Sequence, residues 1–257
     1  MRDDLLKKKI EREVRETYEE FMKREDVKCR FDEPVIAYLD AENLLFDSLY
    51  ARGICKHPKE IYTPGHTFVA YYIPYAEEVV RENEAAAEPT EEWQRGWIES
   101  LWLAMFLNRT IIKAISSQGR LTSRLSTMIE WDWEKCSEPW SNRLAAAVCG
   151  FGELGPAGSF HYNGRYGGRV GAIITDGRYA ELAEPIAEEE IEGALKKLLD
   201  PCLFDGPCSQ DMIDACPCGA VSADGIDRFK CQEYCKSLDS VSPSPNVCGK
   251  CFRFKQK

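Results

Sequence analysis

No run of 18 or more apolar residues occurs in the chain, so no segment is built to cross a bilayer as a helix and no membrane association is expected. Met1 opens directly on Arg-Asp-Asp and a charged stretch instead of the apolar core of an export signal, so a cytoplasmic location is expected. Also missing is a basic stripe with interleaved aromatics. Lys and Arg number 33 against 43 Asp and Glu, a formal net charge of -10. Such an excess repels phosphate backbones at long range, and nucleic acid is not an expected partner. What is present is an ordinary globular composition, 44% hydrophobic and 30% charged over 257 residues. That is enough for one large domain with a smaller appendage.

Along residues 1–26 the apolar positions Leu5, Leu6, Ile10, Val14, Tyr18, Phe21 and Met22 recur every three or four residues between mixed charges. The spacing predicts an amphipathic helix laid on the main domain. Residues 34–49 carry helical periodicity too. His66–Tyr75, rich in β-branched and aromatic residues and bounded by prolines, reads as a central strand. Residues 76–92 are acidic and alanine-rich and read as an exposed helix or loop with no chemistry of its own. A long buried helix is predicted over 91–117, ending near Gly119, with further helices over 143–148 and 188–199 and a strand over 170–175. Mixed helices and strands without a regular repeat predict an α+β fold with three α/β layers.

Twelve cysteines in a long chain without an export signal point away from a disulfide scaffold. Eight of the twelve lie between Cys202 and Cys251, a density that points to metal ligation. A cubane cluster needs four converging thiolates, which chains supply from close pairs and distant ligands folded over them. Cys216-Pro217 presents the Cys-Pro step of bacterial ferredoxins, where that cysteine ligates the other cluster of a two-cluster module. Cys248-Gly-Lys-Cys251 supplies a CxxC pair, and Cys231 sits between. Cys216, Cys231, Cys248 and Cys251 can therefore complete one four-iron four-sulfur site. Cys202, Cys208, Cys218 and Cys235 remain, the number a second cluster requires, at irregular spacing. Two readings compete with iron and sulfide: a structural zinc site, which usually draws on two CxxC-like knuckles where this chain has one, and plain buried thiols.

From Trp140 onward, WSNRLAAAVCGFGELGPAGSFHYNGRYGGRVGAIITDG followed by CLFDGPCSQDMIDACPCGAVSADGIDRFKC and VCGKC resembles the epoxyqueuosine reductase and reductive dehalogenase superfamily, in particular its short iron-sulfur members. The resemblance is specific over about residues 138–251 and faint over 34–75. It implies an N-terminal amphipathic helix over 1–30, a nitroreductase-like α/β domain over 31–198 and a small, degenerate ferredoxin-like iron-sulfur module over 199–257. Cys216 takes the place of the Cys-Pro ligand, Cys231 that of the isolated ligand, and Cys248 with Cys251 that of the closing pair. The chain departs from the pattern at Met212, where a cysteine would stand, and after Cys251, where no cysteine follows. The other cluster thus lacks two ligands, which Cys218 or Cys235 would have to replace.

Characterised members hold a base-off cobalamin in the α/β domain. The resemblance makes Gly150, Gly152, Gly155 and Gly167 a backbone that lies close to that cofactor, and Arg169 a partner for a corrin amide or an anionic substrate. Tight turns and a surface ion pair explain the same residues without a ligand. Cys136, with Asp132 close by, falls near the position of a catalytic aspartate. His161 and Tyr162 fall on a loop that faces the cofactor. Packing and ordinary hydrogen bonding are the competing readings for these three, while His57 and His66 have no motif around them and read as structural. The expectation is an oxidoreductase of anaerobic type that passes electrons from a cluster to cobalamin or a small substrate, with a ferredoxin or flavodoxin as redox partner. A non-catalytic electron carrier without cobalamin is the alternative. Transfer RNA modification is not expected, because the chain is acidic and has no C-terminal helical-repeat extension.

Overall fold

Eight consecutive residues, Thr67–Pro74, are all buried, so this strand is covered on both faces. Its sequence is accordingly a continuous apolar and aromatic run instead of an alternation. The structure, a computed structural model, describes residues 2–125, 139–182, 186–199, 208–238 and 247–253. In chain order the main elements are α1 (Arg2–Met22), β1 (Val35–Asp40), α2 (Leu45–Ala51), α3 (Pro58–Ile61), β2 (Thr67–Pro74), α4 (Glu77–Ala85), α5 (Glu91–Ser116), β3 (Thr122–Arg124) and α6 (Asn142–Val148). They continue with β4 (Glu153–Leu154), β5 (Phe160–Tyr162), β6 (Arg165–Tyr166), β7 (Gly168–Thr175), α7 (Glu188–Leu199), α8 (Gln210–Asp214), β8 (Val221–Ser222), β9 (Gly225–Ile226) and α9 (Arg228–Ser237). The fold is mixed α and β with antiparallel sheets.

The main sheet has the order β1-β2-β7-β3, so β2 is central as its sequence predicts. Alternation along β2 sends Phe68, Ala70 and Tyr72 into one core and Val69, Tyr71 and Ile73 into the other. The first core is closed by α2, α6 and α7 and includes Phe46 stacked near Trp140. The second is closed by α1, α4 and α5, with Ile10 and Val14 of α1 as buried as Leu107 and Ile111 of α5. α1 and α5 are joined by a hydroxyl pair, Thr17 and Thr110, at 2.9 Å. α5 starts where Thr90 caps Trp93 N, and it carries the long apolar stripe that predicted it.

Residues 34–49 correct the expectation of one helix. They form edge strand β1, a turn and then α2. Val35, Ala37 and Leu39 face one core and Ile36 and Tyr38 the other, a period of two concealed in a segment whose apolar residues also match helical spacing. Residues 160–166 contain a second unforeseen element. Phe160-His-Tyr and Arg165-Tyr pair across Asn163-Gly164, whose φ values of 49° and 76° make a tight two-residue turn.

The ends of β1, β2 and β7 are tied by Glu42. Its carboxylate accepts from Arg178 Nη1 at 2.6 Å and Lys59 Nζ at 3.2 Å, and His66 Nδ1 lies 3.0 Å away but off the direct hydrogen-bond line. Partial burial raises the carboxyl pKa, but the bonds from Arg178 and Lys59 and the nearby His66 ring outweigh it and bring it from 4.5 to about 2. A carboxylate with a depressed folded-state pKa stabilises the fold above its unfolded pKa and loses that effect as pH falls through the folded value. Glu42→Gln is therefore expected to lower the urea midpoint near pH 7 and to match the parent protein as pH falls from 4.5 towards about 2. Equal midpoints at neutral pH would show that the cluster of charges contributes nothing.

Candidate metal centre

The C-terminal cysteines are placed by short elements around a core of their own. Ser209 caps α8 by accepting from Met212 N, and the fully buried Met212 packs with Val221 and Ile226 of the β8–β9 hairpin. Met212 thus fills space where the resembled pattern has a ligand. Cys208, Cys216 and Cys251 pack around this core. Cys216 follows the end of α8, and its Sγ accepts from Ala220 N at 3.2 Å and lies 3.7 Å from Cys218 Sγ. Asp227 caps α9 by accepting from Lys230 N. That start sets Cys231 and Cys235 one turn apart on one face of α9. Cys248 and Cys251 flank a tight turn through Gly249, whose φ is 76°.

The thiols act on one another. Burial first, and then the sulfurs of Cys231, Cys248 and Cys216, push the Cys251 thiol far above its ordinary value. Burial pushes Cys248 up to about 12, with Cys231 and Cys216 adding to it. Cys218 is pushed up to about 11 by burial, with Cys216 and Cys231 adding. Of these thiols Cys231 moves down, with its neighbour Cys235 as the main cause. Four sulfurs within electrostatic reach cannot all ionise unless a cation joins them, which is how metal binding displaces protons from a thiol site. Among the described residues no group of three or more His, Cys, Asp or Glu side chains is arranged to hold a single metal ion. A tetrahedral zinc with Zn–S near 2.3 Å draws its sulfurs to within about 4 Å of each other, whereas a cubane holds its thiolates at the corners of a larger body.

The turn between Cys248 and Cys251 is keyed into the α/β domain. Lys250, only 7% exposed, donates to the main-chain oxygens of Asn83 and Ala86 at the carboxyl end of α4. Unsatisfied carbonyls and the helix dipole favour a cation there. Asn83, also buried, donates to Cys248 O at 3.3 Å while its own Oδ1 accepts from Thr90 N at 3.0 Å. The ring of Trp93 lies directly against Gly249, leaving no room for a side chain there, and its buried Nε1 has no hydrogen-bond partner among the described residues. Tyr234 of α9 donates to Glu88. Asn83, Glu88, Trp93 and Lys250 were not singled out by sequence reasoning. The one available signal was a lysine inside a CxxC pair, and residues 76–92, read as free of chemistry, hold its receptor.

The glycine-rich stretch comes beside this module: Ala157 packs on the Met212 core, and the sulfur of Cys251 bears on Tyr166. Yet the space at its glycines is occupied by the chain itself. A side chain at Gly152 would meet Phe160, at Gly155 His161 and at Gly167 Trp93, while Gly150 is open and ends α6 at φ 74°. Arg169 donates to Ser100 Oγ and Trp97 O and lies over the Trp97 ring. His161 Nε2 is 3.0 Å from Ser159 Oγ, and Tyr162 packs on Tyr72 and Phe151. His57 caps α3 by accepting from Lys59 N. Asp132, Cys136 and Cys202 lie outside the described residues. No disulfide joins any two described cysteines, and among the described residues no helix is long and apolar enough to cross a membrane.

Compared with protein-family models, curated proteins and solved structures, the chain matches none.

Lys250→Met keeps the stem and removes the charge-assisted bonds to α4. It is expected to destabilise the metal-free protein by on the order of 2 kcal/mol, with partial recovery in Lys250→Arg. Identical thermal midpoints for the parent protein and Lys250→Met would show that the buried ammonium does not anchor the turn.

Proposed function

We propose that this protein is an iron-sulfur redox protein in which Cys216, Cys231, Cys248 and Cys251 hold one four-iron four-sulfur cluster that serves electron transfer to a cofactor or small substrate in the α/β domain. The observation that carries the reading is a buried cation between two cysteines. Lys250 lies beneath the Cys248–Cys251 turn, and among the described residues no carboxylate stands within ion-pair distance of its Nζ. A buried ammonium is favoured when a negative centre lies near it. Four thiolates around an iron-sulfur core carry net negative charge, and the sulfurs of Cys216 and Cys231 lie close enough to Cys248 and Cys251 to raise the pKa of both thiols at that turn.

When bound, such a cluster accepts and releases single electrons at low potential. The chain's own residues supply the surroundings. Ala220 N donates to Cys216 Sγ. Met212, Val221 and Ile226 exclude water from one side, and Trp93 walls off the turn from the α/β core. Trp93 Nε1 is a donor left for a sulfur. The order of a mixed α and β domain followed by a cysteine module supports placing the chain with the epoxyqueuosine reductase and reductive dehalogenase superfamily, as a nitroreductase-like domain with a degenerate ferredoxin-like module. A reducing compartment such as the cytoplasm suits so many reduced thiols.

The second reading, an electron carrier without cobalamin, draws its support from the α/β domain. Three of the four glycines expected to cradle a corrin are filled by Phe160, His161 and Trp93, and Arg169 is bonded to α5. These residues do not fit a corrin approaching along this stretch. Whatever accepts the electron, the cluster site is the same.

Anaerobic purification and reconstitution, followed by iron, sulfide, zinc and cobalt quantification, tests both readings. About four irons and four sulfides per chain are expected, with cobalt absent after incubation with corrinoid if the protein is a carrier. Stoichiometric zinc without sulfide would sink the redox assignment.

A further inference from the structure

α5 is apolar on more of its circumference than the core takes up. One side carries Leu103, Leu107, Ile111 and Ile115 into the core shared with α1 and α4. The opposite side carries Leu101, Trp102, Met105 and Phe106, which adjoin one another on the helix surface and are each between 37% and 59% exposed. Residues 100–108 include no charged side chain. The exposed side of α1, by contrast, is charged at Glu11, Arg12, Arg15, Glu16, Glu19 and Glu20. A helix that is hydrophobic all round is normally covered all round, and the buried centres of interfaces are enriched in aromatic residues and methionine.

We propose that this face of α5 packs antiparallel against the same face of a second copy of the chain. The patch lies at the midpoint of the 26-residue helix Glu91–Ser116. A twofold axis there sets Leu101 of one chain opposite Phe106 of the other and Trp102 opposite Met105, with every contact made twice. The ends of the helix complement each other in the same arrangement. Glu91 and Lys113 are both exposed, about six turns apart and so on one side of the helix. Antiparallel packing brings Glu91 of one chain to the level of Lys113 of the other and opposes the two helix dipoles. Arg95, which shares the acidic end, is already held by Glu91 at 2.8 Å. Arg24, over the Phe106 ring at 5.6 Å and bonded to Asp26, supplies a polar rim. Four large side chains are fewer than the roughly 20–30 residues that each partner gives a standard interface. A reversible, concentration-dependent dimer is therefore expected, and it needs no metal at the cysteines.

Sedimentation velocity of the full chain, kept reduced, is expected to show monomer giving way to dimer as concentration rises. Met105→Glu and Met105→Lys are each expected to stay monomeric over the same range, with an unchanged circular dichroism spectrum because the side chain is exposed. Met105 stands close to the twofold axis, so an equimolar mixture of the two variants is expected to dimerise again. Trp102→Lys repeats the disruption should the Met105 variants not fold. A monomeric parent protein overturns the inference, and one that also floats with phosphatidylcholine vesicles assigns the face to a lipid surface instead. Dimers that survive in both Met105→Glu and Trp102→Lys overturn it too, as do open-ended assemblies or a mixture that stays monomeric.

Discussion

An ammonium withdrawn from water is held by main-chain carbonyls at the end of one helix, and the cysteine module is positioned by that contact. Lys250 enters the carboxyl end of α4, where the oxygens of Asn83 and Ala86 receive it. The cysteines on either side of it then have little freedom. Carbonyl dipoles alone compensate a buried charge poorly, and a neighbouring negative centre makes the arrangement favourable. The fold of the α/β domain, the direction of the C-terminal turn and the chemistry of its thiols are therefore linked through one side chain.

The same contact explains why α4 and the start of α5 are built as they are. Asn83 is 2% exposed in an acidic helix that otherwise buries only Val79, because its amide joins Cys248 O to Thr90 N. Trp93 sits at the first turn of α5 between Tyr75, at a centroid distance of 4.9 Å, and the cysteine turn. An aromatic of that size fixes the separation of the two parts, and only glycine fits opposite it at position 249. Losing the lysine contact and losing the tryptophan contact are distinct failures: one removes charge compensation, the other shape.

How much of this was legible in the sequence depends on whether a signal was local. β2 and α5 could be read because long runs carried one period each, and β7 because its apolar core, Val170–Thr175, is unbroken. β1 could not, since six residues offer too few repeats to separate a period of two from one of 3.6. The Asn163-Gly164 hairpin carried a strong turn signal, masked by reading its surroundings as one glycine-rich loop. In the C-terminal module the spacing singled out Cys216, Cys231, Cys248 and Cys251, of which Cys216 and Cys251 pack around one small core. What no local pattern could give was the receptor for Lys250, because Asn83 lies 167 positions away from it.

The balance of charge is the remaining constraint. A chain of net charge -10 is a poor host for the proposed site, which would gather thiolates and gain a further negative charge on reduction. Long-range repulsion is weakened by salt and solvent, however, whereas groups inside the site act at short range with little screening. The Ala220 amide on Cys216 Sγ, at 3.2 Å, and the buried Lys250 are such groups. Local positive potential can therefore outweigh the acidic surface, provided that the turn stays docked on α4. Docking and the redox character proposed for the site are then one property: undocking the turn would carry its cation away from α4 and admit water, which screens whatever charge the sulfurs hold.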